Sequence, residues 1–196
     1  MRIAFLRHGP TEWNAAGRFQ GHTDVPLSAE GLAKMRRLRP PVPFGAARAF
    51  VSPLLRARQT AEALGLINPI PDARLMEQNW GLWEGLTRQQ ILERDGQDAF
   101  ARVGLAVAFH PPGGESTGQL HERVAAFLKD AAQEDSDAVA VAHLGVLRAA
   151  YTLATGWDMA TPMPAELDIS KALVLDADAQ GHCRIHALNL ELVTAP

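Results

Sequence analysis

Three short apolar runs, residues 2–7, 46–51 and 138–142, each stop at polar residues and lead toward a helix-patterned stretch. Each run is long enough for one buried strand, and the intervening segments are long enough for a crossover. This alternation most constrains the chain: strand, helix, strand implies an α/β arrangement with a largely parallel sheet and helices on both faces. Residues 171–175 and 184–192 read as two further strands near the C-terminus.

The helices carry start signals. Ser28 is a candidate cap for a helix over 28–38, which Pro40, Pro41 and Pro43 end. Ser52-Pro53 pairs a capping hydroxyl with proline at a first helical position, and Leu54, Ala57, Ala61 and Leu64 supply an apolar face. Ser116 with Gln119 makes a capping box for a helix to residue 132 that turns Leu120, Val124, Phe127 and Leu128 inward. A helix over 144–153 follows His143. Residues 68–75 read as a short proline-marked strand, and 84–108 as a run of helices. The stretch 79–114 exceeds a simple crossover, so it is expected to cap one end of the sheet. One domain over 1–196 accommodates all of this.

Nineteen Lys and Arg against 22 Asp and Glu leave a formal charge of -3, which gives no general attraction to nucleic acid or an anionic membrane. The single Cys183 rules out an intrachain disulfide framework and reads as a small buried hydrophobe. No apolar run approaches the ~18 residues needed to cross a bilayer, and no signal peptide is evident. The default location is cytoplasmic.

Polar stations at strand exits are where open α/β sheets collect ligand groups. Arg7-His8 follows the first strand, Ser52 with Arg56 and Arg58 the second, and His143 the last of the three; Glu77 follows the proline-marked segment. Two arginines, two histidines and a carboxylate suit a dianionic phosphoryl group. A neutral His8 can attack phosphorus in line, Arg7 and Arg56 can hold the equatorial oxygens, and His143 can donate to them. Glu77 can protonate the leaving alkoxide and then accept a proton from water. Glu84, Glu93 and Glu115 are rival carboxylates in neighbouring loops.

Other uses have less support. The histidines show neither His-x-x-x-His nor His-Glu-x-x-His spacing, so no metal is expected. The glycines do not spell a phosphate-binding P-loop, and no Gly-x-Ser-x-Gly elbow presents a serine nucleophile. Trp13, Trp80, Trp83 and Trp157 can frame an organic substrate or pack the cap.

Leu6-Arg7-His8-Gly9 with Thr11, Trp13-Asn14, Gly21, Pro26-Leu27-Ser28 and Gly31 resembles the histidine phosphatase superfamily, in its phosphoglycerate-mutase-like branch. The likeness continues through residues 52–61, Glu77, Trp80-Gly81, Trp83-Glu84-Gly85, residues 112–116 and residues 143–148. It implies a three-layer α/β/α sandwich with a mixed, largely parallel sheet and a small helical cap. It also implies His8 as the phosphorylated nucleophile, Arg7, Arg56 and His143 around the phosphate, and Glu77 as proton donor. Asn14 is implied as a phosphate-region hydrogen-bonding residue, with Gln20 and Gly21 near the entrance. No metal or organic cofactor is implied, and the partner is a small-molecule phosphate monoester. A homodimer is left open.

Pro10 departs from the acidic or polar residue common in relatives, and Leu144 from the glycine of many phosphatases and the asparagine of cofactor-dependent mutases. The central insertion is also short for such a mutase. Hydrolysis is therefore favoured. α-Ribazole phosphatase, phosphoglycerate mutase and a non-catalytic phosphate-binding domain are the alternatives.

Overall fold

A computed structural model describes residues 1–100, 109–158 and 161–195. Six strands make the main sheet: β1 (Arg2–Arg7), β3 (Arg48–Val51), β4 (Ile70–Pro71), β5 (Ala138–Ala142), β6 (Ala172–Ala177) and β7 (Cys183–Leu190). Two more, β2 (Leu38–Arg39) and β8 (Val193–Thr194), pair in a separate ribbon. The strand order of the main sheet is β4-β3-β5-β1-β6-β7. Its first four members in that order run parallel, while β6 is antiparallel to β1 and β7 to β6. The expected mixed, largely parallel sheet is thus present.

Both faces of the sheet are covered, and the strands show it residue by residue. Ile3 and Phe5 of β1 point into one core with Phe127, Leu128 and Leu147, whereas Ala4 and Leu6 point into the other with Ala57, Ala61 and Leu64. The first core is roofed by α5 (Thr117–Ala131) and α6 (Leu144–Thr155); α2 (Ala29–Arg36) and α3 (Leu55–Ala63) roof the second. Central β5 is Ala-Val-Ala-Val-Ala and fully buried, small enough for helices to approach on either side. Ser116 and Gln119 form the expected reciprocal capping box at the start of α5.

Several boundaries differ from the sequence reading. The helix after Ser28 ends at Arg36, because the next residues leave it to pair as β2 with β8. The segment 68–75 divides into the two residues of β4 and a 3-10 turn, Ala73–Leu75. Ser52 does not cap α3; the N-cap position is Leu54, and the Asp24 carboxylate accepts the Leu55 N–H instead. A hydroxyl that propensity assigns to a helix end has been drawn to a histidine across the sheet.

The short helix α1 (Glu12–Ala15) follows the β1 loop, and α4 (Arg88–Asp95) lies in the segment assigned to a cap. Phe19, Trp80, Trp83, Phe100, Ile91 and Phe109 pack there into a small aromatic core of their own. Trp83 is buried and donates from Nε1 to Asp95, which makes it a packing residue. The part of the expected helical run over 101–108 lies outside the described residues.

Candidate active site

Register brings the three strand exits together. Arg7 stands opposite Ala142, and Val51 opposite Val141, so the residues that follow emerge side by side. The ladder continues one step past the strands: His8 N–H donates to Ala142 O and Ser52 N–H to Val141 O, each at 2.9 Å. His8 and His143 consequently face each other with ring centroids 5.0 Å apart.

His8 is buried, and its Nδ1 lies 2.7 Å from Gly9 O. A carbonyl can only accept, so Nδ1 carries the proton and the lone pair of the neutral ring is on Nε2. Burial, then the positive charge of Arg56 and more weakly of Arg7, pushes the His8 pKa down to about 3 against the pull of the Gly9 carbonyl. The ring is therefore an unprotonated nitrogen nucleophile at neutral pH. Thr60 steadies the turn from below: its hydroxyl accepts the Gly9 N–H at 2.9 Å and donates to Arg56 O at 2.7 Å. Sequence reasoning did not bring Thr60 to the site, although its position four residues after Arg56 places both on one helix face.

Arg56 is fully buried in the first turn of α3, and backbone dipoles rather than a carboxylate hold it. Its Nη1 donates to Thr23 O at 3.0 Å and Nη2 to Gly21 O at 2.7 Å, while Nε has no partner among the described residues. Carbonyls orient the guanidinium without cancelling its charge, which is left for an anion. Arg7 likewise keeps a buried Nε without a partner among the described residues. Burial lowers the pKa of both arginines, and the Glu77 charge opposes it.

The carbonyls that hold Arg56 are themselves clamped by Glu84. Its Oε1 accepts from His22 N–H at 2.8 Å and its Oε2 from Thr23 N–H at 2.7 Å, and it also receives Trp80 N–H. Gly21 has φ +54°, and a Cβ there would sit 1.8 Å from Glu84 Oε1, so only glycine fits. Among the rival carboxylates, Glu84 is thus a fastener between the loop and the capping segment. Glu115 is held by Arg123 through two contacts of 2.6 and 2.9 Å.

His143 is fully buried at the N-cap of α6, with Nε2 2.7 Å from Ser52 Oγ and Nδ1 without a partner among the described residues. Burial first, then His8, Arg56, Arg123 and Arg7, holds its pKa well below that of an ordinary histidine. The Ser52 hydroxyl fixes the ring, and an arriving dianion would oppose the same cations that keep it neutral.

Glu77 reaches the site from the turn after β4. Its Oε1 accepts Gln78 N–H at 2.8 Å and Gly145 N–H at 2.9 Å, the latter an amide of the first turn of α6 that has no partner within the helix. A Cβ on Gly145 would lie 2.2 Å from that oxygen. The Glu77 backbone carbonyl is anchored by His22 Nε2 at 2.9 Å and Arg123 Nη2 at 3.1 Å. Both hydrogen bonds to the carboxylate use one oxygen, leaving Oε2 for a proton.

Asn14 shares a cavity with Arg7 and His8, whereas Gln20 is turned into the loop. Asn14 closes the capping box of α1, its Oδ1 accepting from Thr11 N–H at 3.0 Å, and it lines a cavity of about 180 Å³ with Arg7, His8 and Lys171. Gln20 is buried, and its Oε1 accepts the Thr11 hydroxyl at 3.1 Å. Gln20 braces the loop, while Gly21 offers Arg56 its carbonyl. Among the described residues, no three His, Cys, Asp or Glu side chains converge as metal ligands, and no helix is long and apolar enough to cross a membrane.

Residues 3–191 match the family model of the histidine phosphatase superfamily, branch 1. The chain is 36% identical over 135 residues to a 2,3-bisphosphoglycerate-dependent phosphoglycerate mutase of Rhizobium etli, a match covering 64% of this chain and 65% of that protein. A crystal structure of phosphoglycerate mutase from Thermus thermophilus superposes with TM-score 0.70 and 34% identity, covering 98% of this chain and 100% of that one. A mycobacterial glucosyl-3-phosphoglycerate phosphatase in complex with VO3 superposes with TM-score 0.79 and 26% identity, over 97% of this chain and 99% of that one. With its strand-exit histidines and arginines built on this sheet, the chain belongs to the histidine phosphatase superfamily, branch 1.

Proposed function

We propose that this protein is a phosphomonoesterase that hydrolyses small-molecule phosphate esters through a phosphohistidine on His8. The observation that carries the reading is the state of His8: neutral, tautomer set by Gly9 O, and beside the charged guanidinium groups of Arg56 and Arg7, whose Nε atoms have no partner among the described residues. The ester phosphoryl group lies between Arg7 and Arg56, and His8 Nε2 attacks phosphorus from the side opposite the leaving oxygen. The P–N bond forms as the P–O bond breaks, and the proton on Glu77 Oε2 passes to the departing alkoxide. Water then attacks phosphorus, gives its proton back to Glu77, and releases inorganic phosphate with the neutral His8 restored. The arginine forks strengthen as charge moves onto the equatorial oxygens, and His143 donates to the same group.

Mutase chemistry is the second reading, because relatives in the same superfamily are phosphoglycerate mutases. It uses the same phosphohistidine and differs only in whether the second acceptor is water or the bound alcohol. The described parts of the segment 79–114, residues 79–100 and 109–114, act in either case as a cap over the leaving group.

The test is phosphate release in metal-free buffer from α-ribazole phosphate, phosphoglycerates, sugar phosphates, nucleotides and phosphoamino acids, with His8→Ala alongside. Turnover lost in His8→Ala, with a trapped acid-labile phosphoprotein in wild type, supports the phosphatase. Interconversion of monophosphoglycerates after priming would replace it with a mutase. Absence of both activities and of the phosphoprotein would leave only a phosphate-binding domain.

A further inference from the structure

The loop after α1 is bonded outward at each residue from Gln20 to Asp24. Gln20 accepts the Thr11 hydroxyl, the carbonyls of Gly21 and Thr23 accept from Arg56, and Asp24 Oδ1 accepts Leu55 N–H at 2.6 Å. These four tie the loop to the chain after His8 and to α3. His22 reaches in another direction. Its backbone N–H donates to Glu84 Oε1 at 2.8 Å, and its imidazole Nε2 lies 2.9 Å from the backbone carbonyl of Glu77, 55 residues along the chain. A carbonyl oxygen only accepts, so Nε2 carries the proton and donates it. The residue between the two carbonyls that aim Arg56 is therefore bonded to the residue that moves the proton.

The Glu77 carbonyl has two lone pairs and takes a second donor, Arg123 Nη2 of α5, at 3.1 Å. That donor belongs to the scaffold: Arg123 also holds Glu115 and donates to Arg74 O at 2.6 Å. Two donors on one oxygen fix where the Glu77 main chain stands, and so the point from which its carboxyl reaches. Arg123 fixes it against α5, whereas His22 fixes it against the loop that grips Arg56. Proton transfer needs the two heavy atoms within hydrogen-bond reach, so it is the step most sensitive to a loss of register between these parts.

We propose that His22 is a positioning residue that holds Glu77 in register with the phosphoryl group bound by Arg56. Oε2 is thereby kept at the leaving oxygen in the first step and at the attacking water in the second. The role rests on the phosphomonoesterase reading. Phosphoryl binding itself does not depend on the imidazole, because the Gly21 and Thr23 carbonyls and the backbone bonds to Glu84 remain when the His22 side chain changes.

Two substitutions separate the hydrogen bond from the bulk of the side chain. Glutamine carries its amide N–H about as far out as Nε2, whereas asparagine reaches only as far as Nδ1 and loses the contact. In His22→Asn, kcat/KM for an alkyl phosphate should fall ~10- to 100-fold. For p-nitrophenyl phosphate, kcat/KM ends with departure of the phenolate and should stay within about threefold of wild type. Its kcat includes water attack on the phosphohistidine, so kcat should fall ~10-fold or more while acid-labile phosphoprotein builds up. His22→Gln should restore most of both rates, and inorganic phosphate should inhibit all three proteins equally. Equal losses of kcat/KM on the two esters, or weaker inhibition by phosphate in His22→Asn, would make His22 a brace of the Arg56 loop and overturn the role. Wild-type kinetics in His22→Asn would overturn it too. A wild-type protein that releases phosphate from neither ester removes the phosphomonoesterase reading itself, and this role with it.

Discussion

Gly145→Ala isolates the proton-transfer role of Glu77 from the rest of the site. Gly145 does not have a positive φ, so alanine suits the backbone, and the obstacle is space alone. The new Cβ would meet Glu77 Oε1 at 2.2 Å, with Glu77 Cδ and a Leu120 methyl both at 3.4 Å. Ordinary contact requires roughly 3.5 Å, so the carboxylate must retreat by about 1 Å. That retreat breaks the 2.9 Å bond from Gly145 N–H. Such a bond to a charged acceptor is worth ~1.5–3 kcal/mol. A displacement of this size in a catalytic group costs on the order of 10²-fold in rate. Alanine in place of glycine in a helix returns ~0.5–1 kcal/mol, so overall stability should fall by only about 0.5–2.5 kcal/mol. The assay compares kcat/KM for an alkyl phosphate, whose alkoxide must be protonated, with p-nitrophenyl phosphate, whose leaving group departs without help. The alkyl ester should lose about 100-fold and the aryl ester less than about tenfold. An equal loss for both, or none for either, would show that Glu77 is not the proton donor.

The same geometry sets a pH dependence and a second variant's behaviour. His8 and His143 stay neutral in the fold but bind protons below an ordinary pKa of ~6.5 when unfolded, so their contribution is complete above that pH and is lost as the pH falls below it, for His8 toward about 3. Urea unfolding of the ligand-free protein from pH 7.5 to 5 should show stability falling with acid, approaching ~2.7 kcal/mol per pH unit from the two residues; a flat profile would contradict the neutral assignment. Glu84→Gln loosens the loop whose Gly21 and Thr23 carbonyls aim Arg56, and should lower kcat/KM about tenfold or more for alkyl and aryl esters alike. A loss confined to poor leaving groups would place Glu84 in proton transfer instead.

Much of the fold is legible in the sequence because its signals are local. The two-faced burial of residues 2–7 and 138–142, the capping box at Ser116, and the polar residues at three strand exits are properties of short windows. The β2–β8 ribbon is hidden because two-residue strands have no periodicity, and their pairing joins residues far apart in the chain. Ser52 escapes for a related reason. A serine before proline has a strong local reading as a cap, and only the register of β3 against β5 reveals that His143 competes for it.

The sequence by itself determined the chemical inventory: His8, Arg7, Arg56, His143 and Glu77, each near an element end, on a chain patterned for a parallel sheet. These are choices of side chain and local propensity, and they survive without knowledge of any distant contact. Only the tertiary structure decided what state those groups are in. The proton on His8 is placed by Gly9 O and kept from the second nitrogen by burial beside Arg56. Arg56 is aimed by carbonyls of a loop that Glu84 clamps from far along the chain, and Glu77 is seated by the amide of Gly145. Desolvation and hydrogen-bond direction depend on which atoms surround a group in space, and for this site those atoms come from across the whole chain.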